Sequence, residues 1–159
     1  MSRFKILGES ERKELMKKLE KQYGIKEIEG TLITLGQEKI RLFTGEISEK
    51  ELEHLGSIVH VEISGLYLLS VEKDGIRLSH DAPIILRHQI HKSIIEIDKK
   101  QEIEWLKGHD VLLTKEQEEL NKENNGFVVI KSEGELIGCG KLGNDGRIRN
   151  FVPKERRLK

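Results

Sequence analysis

Six cations near the end of the chain have the residue types and spacing to hold phosphates: Lys141, Arg147, Arg149, Lys154, Arg156 and Arg157. Arg147 and Arg149 are two apart in a strand-like run, so both point to one face, while Ile148 turns to the other and can enter a core. Lys141 sits on the preceding run and reaches them through an Asn144-Asp145-Gly146 turn, which puts it cross-strand from the pair. Lys154, Arg156 and Arg157 follow Pro153 in a stretch expected to be extended. Converging cations neutralise phosphate charge, and guanidinium groups also fork onto two acceptors or stack on bases. The competing reading is an edge strand defended by charge. Alternation of these charges with apolar residues argues against a frayed tail.

Other chemistries are weaker. His88 and His91 are three apart and could share a helical face; with His80 or Asp81 they would compose a metal site. No spacing matches a zinc signature such as HExxH, so no metal is expected. Cys139 is the one cysteine and lies between Gly138 and Gly140 in a strand pattern. A nucleophilic thiol needs a base and a lowered pKa, which a mid-strand position does not supply. Cys139 is therefore expected to be a small core residue, with Gly138 and Gly140 as structural glycines that allow close backbone approach in a curved sheet. There is no GxGxxG between strand and helix and no Walker lysine, and no cofactor is expected. A cleft between the two halves of the chain using His80, Asp81 or His88 is the remaining enzymatic reading.

The elements that must position these residues come from a soluble, folding composition: 159 residues, 36 % hydrophobic and 35 % charged. That allows one domain or two small ones. Net charge is zero, but residues 138–159 hold seven Lys or Arg against Asp145 and Glu155, a local net of +5 that leaves the rest acidic. A single cysteine excludes an intrachain disulfide and suits a reducing interior. No apolar run reaches the roughly 18 residues of a membrane helix. A cytoplasmic, non-membrane protein is expected.

Leu15, Leu19 and Tyr23 recur every four residues and predict a helix stopped at Gly24. Strands are expected at 4–7, 31–35, 40–43, 58–63, 66–71 and 76–79, with Asp74-Gly75 turning the last pair. Ser48 and Glu51 form a capping box for a helix over 48–55 ended by Gly56. Asp81 and Pro83 open a helix running toward His91. A boundary falls at 92/93. Beyond it a strand at 94–97, a short helix at 101–106 carrying Trp105 and ended by Gly108, and a short apolar run at 111–113 are expected. A polar helix capped by Thr114 and Gln117 follows, then strands at 127–131, 136–142 and 147–152. The expected class is α+β: an N-terminal mixed α/β domain over 1–92, then a small, mostly β unit over 93–159, too small to have much interior of its own.

Four runs in order, WLKGHDV at 105–111, GFVVIK at 126–131, IGCGK at 137–141 and IRNFVPKERR at 148–157, resemble the PUA fold. The most specific is the Asn-x-x-Pro-Lys-x-x-Arg ending, Asn150 to Arg157. The region resembles the PUA-like C-terminal domain of NOL1/NOP2/Sun-type RNA methyltransferases and stand-alone archaeal relatives, and the two-domain layout is similar to the ribosome-biogenesis factor Nip7. The resemblance implies a small β pseudo-barrel that binds structured RNA, tRNA or rRNA. It implies RNA contact at Gly108, His109 and Asp110 and at Arg147, Arg149 and Lys154. It also implies work beside a modification enzyme or a ribosome-assembly protein. The sequence departs from the family pattern after Val111, where an acidic helix pattern occupies 115–123. The glycine loop for S-adenosylmethionine and the catalytic cysteines of such methyltransferases are absent, so the expectation is a non-catalytic RNA-binding protein. A protein-interaction adaptor is the other reading, motivated by the acidic balance of residues 1–125.

Overall fold

Leu15, Leu19 and Tyr23 all face inward, at 5 %, 0 % and 1 % exposure, and make the run Glu9–Tyr23 a helix (α1) laid on a sheet. Gly24 ends it in the left-handed conformation, with φ 85° and its N–H returned to the carbonyl of Glu20. The computed structural model describes residues 4–36, 38–58 and 65–159. Beneath α1 lie five antiparallel strands in chain order: β1 (Phe4–Ile6), β2 (Thr31–Leu35), β3 (Lys39–Phe43), β4 (Leu66–Glu72) and β5 (Gly75–Leu78). Ile40, Leu69, Ile76 and Leu78 join the α1 residues in one core. The phenol of Tyr23 donates to the carbonyl of Ile76, pinning the helix end to β5.

Two N-terminal elements differ from expectation, and a third is described only at its first residue. Ser48 and Glu51 do cap α2 (Glu49–Ile58), but the helix continues through Gly56 instead of stopping there. The expected strand at 58–63 begins on a helical residue, and its remainder lies outside the described residues. The helix opened by Asp81 is a single turn, α3 (Ala82–Ile85). It stops because the chain is drawn to the end of α1, where the carbonyl of Tyr23 accepts from His91 and Lys92 at 3.0 and 3.2 Å. His88 and His91 therefore share no helical face.

The second sheet has the order β6 (Ile94–Glu96), β8 (Gly126–Ser132), β9 (Glu135–Leu142), β10 (Arg147–Asn150), β7 (Val111–Leu112). Its β6–β8 pair is parallel and the rest antiparallel. It curls as a half-barrel around Trp105, Ile95, Val128, Ile130 and Ile148, all fully buried. Helix α4 (Lys99–Leu106) starts earlier than expected because Asp98 accepts from the Gln101 N–H at 2.8 Å and Gln101 accepts from the Asp98 N–H at 2.9 Å. Such a box is worth about 1 kcal/mol. Helix α5 (Lys115–Leu120) is capped by Thr114 and Gln117 as expected. β10 ends at Asn150, short of the expected 152, and Lys154–Arg156 is a 3-10 turn, not an extended stretch.

The two sheets share a core. Val129 and Cys139, on one face of β8 and β9, belong to the same cluster as Leu78, Ala82 and Leu86. The Cys139 thiol donates toward the carbonyls of Leu78 and Ser79, 3.3 and 3.2 Å away. The molecule is thus α+β, a mixed α/β region against a curled half-barrel sheet.

Candidate nucleic-acid interface

Strand alternation sorts the basic residues. Ile148 is fully buried, so Arg147 and Arg149 project from the opposite face of β10 and are exposed. On that face Phe127, Lys141 and Arg149 lie directly across from one another on β8, β9 and β10. Arg147 is opposite Leu112 of β7. Lys141 and Arg149 are a like-charged cross-strand pair, an arrangement that opposes pairing unless an anion lies between or beside them. Asp74, from the β4–β5 turn, meets half of that need: its carboxylate accepts from Lys141 Nζ at 2.7 Å. This hydrogen bond from Lys141 holds the Asp74 carboxyl below its usual range. Lys141 also sits 5.0 Å from the ring centroid of Phe127.

The remaining cations divide into two groups. Arg156 pairs with Asp81 at 3.3 Å, joining the C-terminal 3-10 turn to the N-terminal half. Arg157 donates through Nε to the carbonyl of Val152 at 3.0 Å and fills the space beside Gly108, whose φ is +90°. These two guanidinium groups fasten the tail. Arg149 and Lys154 have no ion pair among the described residues, and Arg147 has only Asp145 at 4.0 Å.

The turn between α4 and β7 is held by Asn150, a residue whose role sequence reasoning missed. Its amide donates to the carbonyls of Trp105 at 2.7 Å and His109 at 2.9 Å, and its oxygen accepts from the Val152 N–H at 2.8 Å. Asp110 accepts from the Asn150 N–H at 2.9 Å. His109 Nδ1 lies 2.6 Å from the Glu104 carboxylate, which this hydrogen bond keeps below its ordinary pKa. Gly108, His109 and Asp110 thus flank β10 at the Asn150 end, beside Arg157 and one strand away from Lys141. On the other side, the Glu118 carboxylate of α5 covers Gly146, so the acidic helix bounds the cationic row at Arg147.

Gly140 is pressed between Trp105, Ile148 and the carbonyl of Arg149, with no room for a Cβ. Gly138 lies where His80 Nδ1 and Trp105 Nε1 converge, and both nitrogens are buried without a hydrogen-bond partner among the described residues. Burial holds His80 below its ordinary pKa, with Asp81 acting in the opposite direction. Burial pushes the Cys139 thiol up to about 12, the reverse of what a nucleophile needs.

Two further cations come from the N-terminal sheet, and sequence reasoning did not connect them to this face. Arg77 of β5 lies over the ring of Phe151, its guanidinium carbon 3.8 Å from the centroid. Arg41 of β3 is cross-strand from Tyr67 and donates to the carbonyl of Gly65 at 2.7 and 3.2 Å. Alternation with buried Ile76 and Leu78 is the local signal that turns Arg77 outward; that β10 ends beside it is not encoded locally. His80 and Asp81 line the same cleft, whereas His88 lies elsewhere, near Arg87 and Glu135. Among the described residues no group of three or more His, Cys, Asp or Glu is arranged around a metal position, and no helix is long and apolar enough to cross a membrane.

A family profile described as the Methyltransferase RsmF PUA domain matches residues 92–158. The chain is 28 % identical over 91 residues to the Ribosomal RNA small subunit methyltransferase F of Vibrio vulnificus, in strains YJ016 and CMCP6 alike. The alignment takes in 57 % of this chain but 18 % of each relative, so the chain spans only a small part of the length of the curated relatives it matches. The C-terminal half of the chain is a PUA-domain region related to the RsmF/NOL1-NOP2-Sun family of methyltransferases.

Proposed function

We propose that the protein is a non-catalytic RNA-binding protein that holds structured RNA, tRNA or rRNA, in RNA modification or ribosome biogenesis. The observation that carries this reading is the cationic row on a PUA-region sheet: Arg149 directly opposite Lys141, with Arg147 beside them. Repulsion between such neighbours is relieved by phosphate, and each phosphate contact releases counterions. Arg147 and Arg149 are exposed and contribute nothing to the core, while Ile148 between them does. Surface arginines with no structural duty on a related domain are the groups RNA would use.

The test is fluorescence anisotropy with a labelled tRNA and a labelled rRNA helix fragment across a salt series. Wild type binds with an affinity that falls steeply with salt. The Arg147→Glu/Arg149→Glu protein keeps its circular dichroism and thermal midpoint, loses most of its affinity, and shows a shallower salt slope by about two contacts. A folded double variant that binds as wild type does sinks the reading.

A further inference from the structure

Two residues beyond Arg149, Phe151 enters a cleft that belongs to both halves of the molecule. Tyr67, Arg77, His80 and Asp81 line it from the N-terminal half, and Phe151 and Arg156 from the C-terminal half. Its volume is about 290 Å³, at the small end of ligand-sized cavities, which begin near roughly 300 Å³. That is room for one planar ring system.

Its walls have the chemistry of such a ring's partners. Tyr67 is half-buried and supplies one planar surface. The Arg77 guanidinium, its carbon 3.8 Å from the centroid of the Phe151 ring, supplies a second, a cation set over an aromatic ring. At one end Asp81 and Arg156 form an ion pair of 3.3 Å, offering acceptor and donor side by side. The ring of His80 lies in the same wall and keeps Nδ1 turned into the protein. Stacking planes with a mixed donor and acceptor edge are how single-stranded bases are held, whereas a phosphate alone needs only cations.

We propose that this cleft receives one unpaired nucleobase of the RNA, stacked on Tyr67 and the Arg77–Phe151 pair, while the Lys141, Arg149 and Arg147 row holds the adjacent backbone. The N-terminal half is then part of the RNA site, and the protein prefers RNA with an extruded nucleotide over continuous duplex. The proposal rests on the RNA-binding reading above.

The experiment uses the full chain and two hairpin RNAs, one with a single bulged 2-aminopurine and one identical but without the bulge. Wild type is expected to bind the bulged hairpin between about fivefold and a hundredfold more tightly, with 2-aminopurine fluorescence quenched on binding. Tyr67→Ala brings the bulged hairpin down to the affinity of the bulge-free one, which itself barely changes, and Arg77→Gln removes the preference between the two hairpins. Tyr67→Phe retains the preference and the quenching. Should Arg77→Gln fail to fold, the Tyr67→Ala and Tyr67→Phe pair still decides. Equal binding of both hairpins by wild type, or an unchanged preference in folded Tyr67→Ala, overturns the nucleobase site while leaving RNA binding intact. The Arg147→Glu/Arg149→Glu protein loses both hairpins alike. If wild type binds neither hairpin, the functional reading and the nucleobase site fall together.

Discussion

Arg157 occupies the space beside Gly108 where any other residue would carry its Cβ, and Gly108 holds φ +90° to let it do so. The contact fixes the last residues of the chain against the α4–β7 turn, aided by the Leu158 N–H donating to the carbonyl of Leu106 at 2.8 Å. Gly108→Ala meets two obstacles, a left-handed backbone and a collision with a guanidinium stem. The backbone strain alone costs about 1–3 kcal/mol. Arg157→Ala removes the collision but not the strain. Urea denaturation of the two single variants and the double variant should therefore show the double less destabilised than the sum of the singles.

Asn150 ties three backbone groups from two segments together. Asn150→Ala leaves the carbonyls of Trp105 and His109 and the Val152 N–H without their partner. Leaving such groups unsatisfied should cost roughly 2 kcal/mol or more, read as a lower urea midpoint. The loss should also loosen the α4–β7 turn, seen as faster amide exchange at His109 and Asp110 than at Val128 or Ile130.

Acid should weaken the joint between the two halves through His80. Its folded pKa is lowered chiefly by burial, further by Arg156, and is partly restored by Asp81 and Glu155. A folded pKa below the unfolded one means the unfolded chain takes up the proton first. Stability is then full above the unfolded value of about 6.5 and declines as pH falls through the folded value. His80→Gln should flatten the fall in urea midpoint between pH 8 and pH 5.5. An unchanged pH slope in that variant would contradict the assignment.

Cys139 should be chemically silent in the native protein. With its thiol pushed up to about 12 and its hydrogen directed at the Leu78 and Ser79 carbonyls, the thiolate fraction at pH 8 is on the order of a thousandfold below that of an unfolded cysteine. Iodoacetamide labelling should follow the small equilibrium population of opened protein in buffer and become fast only in denaturant. Rapid labelling of folded protein would show that the seam between the sheets opens.

Elements with strong local signals are legible in the residues alone. The four-residue recurrence of Leu15, Leu19 and Tyr23 needs only a helical period, and the Ser48–Glu51 and Thr114–Gln117 boxes are complete within a single turn. The outward placement of Arg147 and Arg149 and the inward placement of Ile148 follow from a period of two. The reading of 81–91 as one longer helix missed because the chain beyond Ile85 obeys the Tyr23 carbonyl, which is remote in sequence. The extended reading held at Arg157 but missed over 154–156, a 3-10 turn whose Arg156 is claimed by Asp81 on the N-terminal half, while Arg157 packs beside Gly108.

What the sequence determined by itself was the class of the fold, the resemblance of its C-terminal half, and the identity of the cations that one strand face would show. Short-range periodicity, capping and charge settle those, because each depends on residues within one or two turns. Which of those cations remain available was decided only by tertiary structure. Ion pairing and hydrogen bonding act over a few ångströms between segments distant in the chain, so they tied Arg156 to Asp81 and Arg157 to the Val152 carbonyl beside Gly108, and set Asp74 against Lys141 while leaving Lys141 on the exposed row. The same packing left Arg149 and Lys154 without an ionic partner among the described residues, and it brought Arg77 and Tyr67 into one cleft with Phe151, two residues beyond Arg149.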